Sequence, residues 1–276
     1  MTVQIGLNGR FFPANWRPAL DEIAFAATHG FRALQFQGKE AGLGPEHLGA
    51  EFASLRAAMA AAGIVPVLEM VVRLDERGLS ADGLTPLAVL RANLPAITGL
   101  GCACAHWHLV PAGPLSAAAI ARLEEHVGPE LRAAVGLAEG QFRFGLEHNE
   151  PDLRLFGAPE SCARALEDAP GLHFVWDINH TIPEHLASFA ALLGRVSMLH
   201  VSDTALPEVN YHLPIGLGSV DFAAVGRLLR AAEFSGPAIL EIGGLPKSGG
   251  YGRDSDAALV DSLQRLNQAF NDNPAL

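Results

Sequence analysis

Eight short runs rich in β-favouring residues recur along this chain, and a segment with helical spacing follows every one. The runs are QIGLNG (4–9), FRALQFQG (31–38), IVPVLEMVV (64–72), CACAHWHLV (102–110), FRFGLEHN (142–149), LHFVWDIN (172–179), RVSMLHVS (195–202) and PAILEIGG (237–244). The Ala- and Leu-rich segments cover 17–29, 45–62, 84–99, 115–138, 158–168, 183–193, 219–233 and 254–270. Strand–helix units repeated in this way imply right-handed parallel crossovers, and eight of them predict a closed (β/α)8 TIM barrel of the α/β class. An open doubly wound sheet is the alternative, but no G-x-G-x-x-G follows the first run. Gly30, Gly63, Gly101, Gly171 and Gly194 stand where helices should end. No linker or low-complexity stretch divides the 276 residues, so residues 1–276 are expected to form a single domain.

A net charge of −11 leaves no general basic field for a phosphate backbone, so small molecules rather than nucleic acid are the expected partners. The three cysteines, Cys102, Cys104 and Cys162, lack C-x-x-C spacing and read as reduced packing residues. No basic segment leading into an apolar run follows Met1, and no stretch is apolar for long enough to span a bilayer. A cytoplasmic protein with no membrane partner is expected.

Active sites of such barrels lie at the C-terminal ends of the strands, and the polar residues there are unevenly distributed. Strand five ends in Glu147, His148 and Asn149, strand six in Asp177, Asn179 and His180, strand seven in His200 and Asp203, and strand eight in Glu241. Any one of these alone would read as a capping or surface group. Four consecutive strands ending this way bring Glu147, Asp177, His200 and Glu241 within reach of one ion, and burying such charges without compensation is costly. Two Glu, one Asp and one His suit Mn²⁺, Mg²⁺ or Co²⁺, and admit Zn²⁺. His180 and His212 read either as further ligands, as substrate contacts or as structural histidines. His106 and His108 flank Trp107 on strand four and share a face; His108, nearer the strand end, is the better candidate of the two.

The segments GLEHN, VWDINH, LHVSD, YHLPIGLGSVDF and AILEIGG together resemble the xylose isomerase-like TIM barrel superfamily. That superfamily holds sugar isomerases and epimerases, inosose dehydratase and endonuclease IV, the last of the AP endonuclease family 2 type. The resemblance implies that Glu147, Asp177, His200 and Glu241 are the metal ligands and that His180 is the His of a D-x-x-H pattern. It also implies that HLPIGLGSVDF is a loop closing over substrate. Barrels of this kind often assemble as homo-oligomers, for which loop 244–253 with Tyr251 is a candidate contact.

The chemistry follows from the groups themselves. A cation holding adjacent oxygens of a hydroxy-ketone or aldose makes the neighbouring C–H more acidic by stabilising an enediolate. Glu147 and Glu241 could flank the substrate as the acid–base pair. Proton return to the opposite face gives epimerisation, and transfer between adjacent carbons gives isomerisation. The alternatives are an inosose dehydratase-like lyase and an endonuclease IV-like hydrolase. Against the hydrolase, strand two ends in Gln37 and strand three reads LEMVV, where that enzyme uses histidines. No Lys or Arg lies between Arg195 and Arg227, so a small neutral sugar or polyol is the expected substrate. Asn8, His108, His180, Asp203 and His212 are the candidate substrate contacts, with Phe11, Phe12 and Trp16 as pocket-edge residues. Arg10, Arg73, Arg154, Lys247 and Arg253 remain available to an anionic group.

Overall fold

The computed structural model describes residues 2–244 and 253–271, and its strands form one closed, all-parallel ring. The ring comprises β1 (Gln4–Asn8), β2 (Ala33–Gln37), β3 (Val65–Leu74), β4 (Cys104–Pro111), β5 (Arg143–Glu147), β6 (His173–Asp177), β7 (Val196–Val201) and β8 (Pro237–Leu240). Each strand pairs with its sequence neighbours, and β8 closes on β1 in the register Gln4↔Pro237 to Leu7↔Leu240. Outside lie α1 (Ala19–His29), α2 (Phe52–Ala62), α3 (Pro86–Leu100), α4 (Ala117–Ala138), α5 (Pro159–Asp168), α6 (Leu186–Ala190), α7 (Phe222–Ala231) and α8 (Asp256–Leu266). Thr85, Ser116, Asp221 and Ser255 begin α3, α4, α7 and α8 by accepting a hydrogen bond from the amide three residues on.

Because successive strand residues point to opposite faces, a closed ring sorts its sequence into an inside and an outside. The outward set, including Phe36, Met70, Trp107, Phe144, Trp176 and Leu199, packs with the helices in the main core. Ala33, Val67, Cys104, Val175, Met198 and Ile239 form a separate cluster that plugs the barrel's interior. Two residues further along the same strands the inward position turns polar: Gln35, Glu69, His106, Asp177, His200 and Glu241. The remaining two strands follow the same step, from Gly6 to Asn8 and from Gly145 to Glu147.

The structure departs from the sequence reading at the edges of elements. The sixth helical segment, predicted over 183–193, is a 3₁₀ turn at Pro183–His185, a five-residue α6 and another 3₁₀ turn at Leu193–Arg195. Gly194 lies inside that last turn, whereas Gly30, Gly63, Gly101 and Gly171 take the expected positive φ. Strand eight stops at Leu240 rather than 244, because Gly243 and Gly244 adopt φ of 78° and 88°. An antiparallel pair, Phe11–Phe12 with Asn15–Trp16, folds the loop after β1 and was not anticipated. The buried Arg10 is occupied by Glu22 at 2.7 Å and Asp256 at 2.5 Å, so it serves as an ion-paired tie and not as a substrate cation. Lys247 and Tyr251 lie outside the described residues. No helix among the described residues is long and apolar enough to cross a membrane.

The seam between β1 and β2 leaves no room for a side chain at Gly6, where a Cβ would meet both the Cβ and the carbonyl oxygen of Ala33 at 2.6 Å. Gly6→Ala is expected to lower stability by about 2 kcal/mol through forced separation of the strands. Gly136→Ala, on the exposed face of α4 with nothing near its Cβ, is expected to raise it by about 0.5–1 kcal/mol. Urea midpoints of the two variants check both signs.

Candidate metal centre

The inward polar positions meet at the C-terminal end of the barrel, and His200 is their hub. Its Nδ1 donates to Glu147 Oε1 at 3.0 Å and lies 3.4 Å from Glu241 Oε2. On the opposite side of the ring its Nε2 donates to the Gln35 amide oxygen at 2.8 Å. That contact also orients Gln35, whose NH₂ donates to Glu241 Oε1 at 2.9 Å and to Glu69 Oε2 at 3.0 Å. With its Nε2–H held by Gln35, His200 presents Nδ1 to the carboxylates, the arrangement a metal-ligating imidazole requires. Asp177, His200 and Glu241 each offer a donor atom within 4.8 Å of the others. Glu241 stands one residue beyond β8, yet its amide still bonds the Val201 carbonyl at 3.1 Å. Asn8 donates to Glu241 Oε1 at 3.0 Å.

The donor set fits a divalent cation on two observations. Glu147 Oε2 and Asp177 Oδ2 are buried and accept no hydrogen bond, a condition that normally costs free energy unless a positive charge compensates. Burial pushes Glu241 well above the usual carboxylate range, and although His200 opposes this, Glu69, Glu147 and Asp177 add to it. The pocket therefore holds more negative charge than its imidazoles neutralise. Glu147 goes the other way: burial works against its charged form, but His108 and His200 hold it well below the usual range. His108, opposed by burial, is pushed up to about 10 by Glu147 and Glu69.

The other predicted residues fall into distinct places. His180, His212, His108 and Asn8 line the cavity over the cluster, a space of about 400 Å³ that Glu69, Glu150, Phe12 and Glu241 also border. His180 Nδ1 donates to the His148 carbonyl at 3.1 Å and lies 3.3 Å from Asp177 Oδ2. Both ring nitrogens of His212 are engaged, Nδ1 by the Glu241 carbonyl and Nε2 by Asn210 Oδ1, each at 2.8 Å. Asp203 is not among the cavity residues. Its buried carboxylate accepts from the amides of Thr204, Gly216 and Val220, which shapes the loop after β7. Glu147 is wholly buried beneath the cavity, so Glu241 is the member of the pair that reaches the open space. Phe11 is buried and stacks on Phe36, whereas Trp16 is half exposed.

Of two further members of the cluster, Glu69 escaped the sequence reading and His106 was ranked behind His108. Glu69 accepts from Gln35 and Gln37 and lies 3.4 Å from His108 Nδ1. His106 is fully buried with Nε2 at 3.2 Å from Glu147 Oε2. With Glu147 and His200 they form a second set of mutually close donors. The two-residue step from the interior plug, Val67 to Glu69 and Cys104 to His106, was the signal that could have found them.

Comparison with known proteins places residues 23–269 on the family model described as xylose isomerase-like TIM barrel. Comparison with curated protein sequences yields no match. Among solved structures, L-ribulose 3-epimerase superposes with a TM-score of 0.75 at 13% identity, covering 98% of this chain and 95% of that one. The IolI protein with a bound zinc atom gives 0.74 at 15%, covering 98% and 100%. The 3-keto-D-glucoside 4-epimerase YcjR of E. coli gives 0.72 at 18%, covering 97% and 100%. At these identities the likeness is one of fold.

The charge state of His200 sets the pH dependence of the cluster. Burial disfavours its cation, but Glu147 and Glu241 raise its pKa well above 6.5. In metal-free protein this ion pairing stabilises the fold fully below the unfolded value and is lost as pH rises through the raised one. A cation taking Nδ1 must expel that proton, and one taking the Glu241 carboxylate expels whatever proton its raised pKa retains, so affinity is expected to climb with pH and binding at pH 7 to release at least about one proton. Calorimetric titration of chelator-treated protein with Mn²⁺ in buffers of different ionisation enthalpy measures the proton count.

Proposed function

Because this chain belongs to the xylose isomerase-like TIM barrel family, we propose that it is a divalent-metal-dependent sugar epimerase or isomerase. The observation that carries this reading is the convergence of Glu147 and Glu241 on one nitrogen of His200, with Glu241 reaching a sugar-sized cavity. The solved structures most like this one include epimerases of ketoses and keto-glucosides, which supports a carbohydrate substrate. Asp177, His200 and Glu241, which form one set of mutually close donors, would hold the ion together with Glu147, which meets His200 Nδ1 at 3.0 Å but groups with Glu69 and His106. Mn²⁺, Mg²⁺ or Co²⁺ suits such an oxygen-rich set, and zinc in the IolI structure makes Zn²⁺ the comparison. Bound there, the ion would polarise the substrate carbonyl and stabilise the enediolate that forms when the adjacent carbon loses its proton.

The chain's own residues supply the rest. Asn8 and Gln35 donate to the same oxygen of Glu241, which leaves its second oxygen free of those two donors to take and return a proton. Glu147, which meets the same Nδ1 of His200, is the partner carboxylate, held ionised by His108 and His200. His180, His108 and His212 line the same space and can hydrogen-bond hydroxyl groups.

Glu241→Gln keeps the shape and an oxygen but removes the base, so turnover should fall at least about 100-fold while metal binding weakens modestly. Deuterium should enter the carbon beside the carbonyl when protein, cation and a true substrate are incubated in D₂O, and chelation should abolish the exchange. Rapid cleavage of abasic DNA by the wild type, with no deuterium entering any sugar, would sink this reading.

A further inference from the structure

Strands β3 and β4 run longer than their neighbours, 10 and 8 residues, and raise a wall on one side of the cavity. Alternation along β3 turns Glu69, Val71 and Arg73 toward it, and all three line it, while Met70, Val72 and Leu74 are buried in the core behind. Along β4 the cavity-lining residues are His108 and Val110. The wall thus reads upward as a polar floor at Glu69 and His108, an apolar band at Val71 and Val110, and a cation at Arg73.

Arg73 stands at the exposed rim of the cavity, and its side chain makes no hydrogen bond or ion pair to any described residue, although two carboxylates share that rim. Those acids are engaged elsewhere: Glu150 accepts from Asn210 at 2.6 Å, and Asp254 accepts from Asn15. Among the described residues that line the cavity, Arg73 is the one Lys or Arg. An uncommitted guanidinium facing a cavity over an apolar band calls for an anion on whatever occupies that space.

Resting on the sugar epimerase reading above, we propose that the substrate is a sugar acid whose terminal carboxylate is held by Arg73 while its carbonyl end lies on the floor. Four residues of strand separate Glu69 from Arg73, about 13 Å along the chain at about 3.3 Å per residue. An open hexose chain with a side chain meeting it at either end can span that separation. A single guanidinium beside Glu150 and Asp254 matches a singly charged carboxylate in bidentate contact better than a phosphate dianion, and the loop after β7 brings no Lys or Arg. This replaces the neutral sugar expected from the sequence with an acidic one.

D-gluconate and D-glucitol differ at one terminus and serve as direct probes of Mn²⁺-loaded protein by calorimetry. Gluconate should bind the wild type about 10- to 100-fold more tightly than glucitol, and Arg73→Gln should abolish the difference while leaving glucitol affinity within about twofold. Equal affinities in the wild type would overturn the proposal. So would a gluconate preference that Arg73→Gln leaves intact, which places the carboxylate on the cation instead. Tighter binding of glucitol 6-phosphate than of gluconate would overturn the choice of carboxylate. Because binding is read without turnover, loss of the epimerase reading appears separately, as absence of deuterium exchange in neutral and acidic ketoses alike.

Discussion

A closed parallel barrel gives its interior only every second residue of eight strands, and this one uses that allotment in two stages. Small and apolar groups seal the lower interior, from Ala33 and Val67 round to Met198 and Ile239. The next inward step is polar on every strand, which forces carboxylates, imidazoles and amides into largely buried positions. The upper barrel is consequently governed by charge balance rather than by packing. Glu69, Glu147, Asp177 and Glu241 are tolerable together only because His106, His108, His200 and the two glutamines stand among them.

The sequence made the barrel readable because strand and helix periods alternate without interruption, and Gly30, Gly63 and Gly101 mark the ends where helices stop. It was less readable where elements are short. The turns flanking α6 share hydrophobic content with a helix, so composition alone could not divide them. Within the centre, Glu147, Asp177, His200 and Glu241 stood out because each ends an apolar run. Glu69 and His106 did not, since LEMVV and CACAHWHLV continue beyond them as strand, and a polar residue inside a run gives no boundary to notice. Asp203 was conspicuous for the opposite reason. It follows a strand as a ligand would, but its oxygens are spent on three backbone amides, and no sequence pattern distinguishes an acid that folds a loop from one that faces a cavity.

Gln35 shows how much of such a centre lies outside its obvious members. One amide accepts from His200 and donates to Glu241 and Glu69, so a single side chain fixes which imidazole nitrogen faces the carboxylates and how two of the acids are turned. Its neutral, two-sided character cannot be replaced by a carboxylate or an ammonium without inverting one of those contacts.

The join between β8 and β1 has a further consequence, which concerns the order of events in folding. Glu241 belongs to the last strand and Asn8, which donates to it, to the first, a separation of 233 residues. Glu147, Asp177, His200 and Glu241 sit on the four consecutive strands β5 to β8, but the amides that orient Glu241, from Asn8 and Gln35, come from the first two, so the setting of Glu241 is completed by the same step that closes the ring. Contacts so distant along the chain form late because their loop-closure entropy must be met first. Any ligand that needs Glu241 held in this setting would favour the closed cylinder, and by mass action would hold it shut.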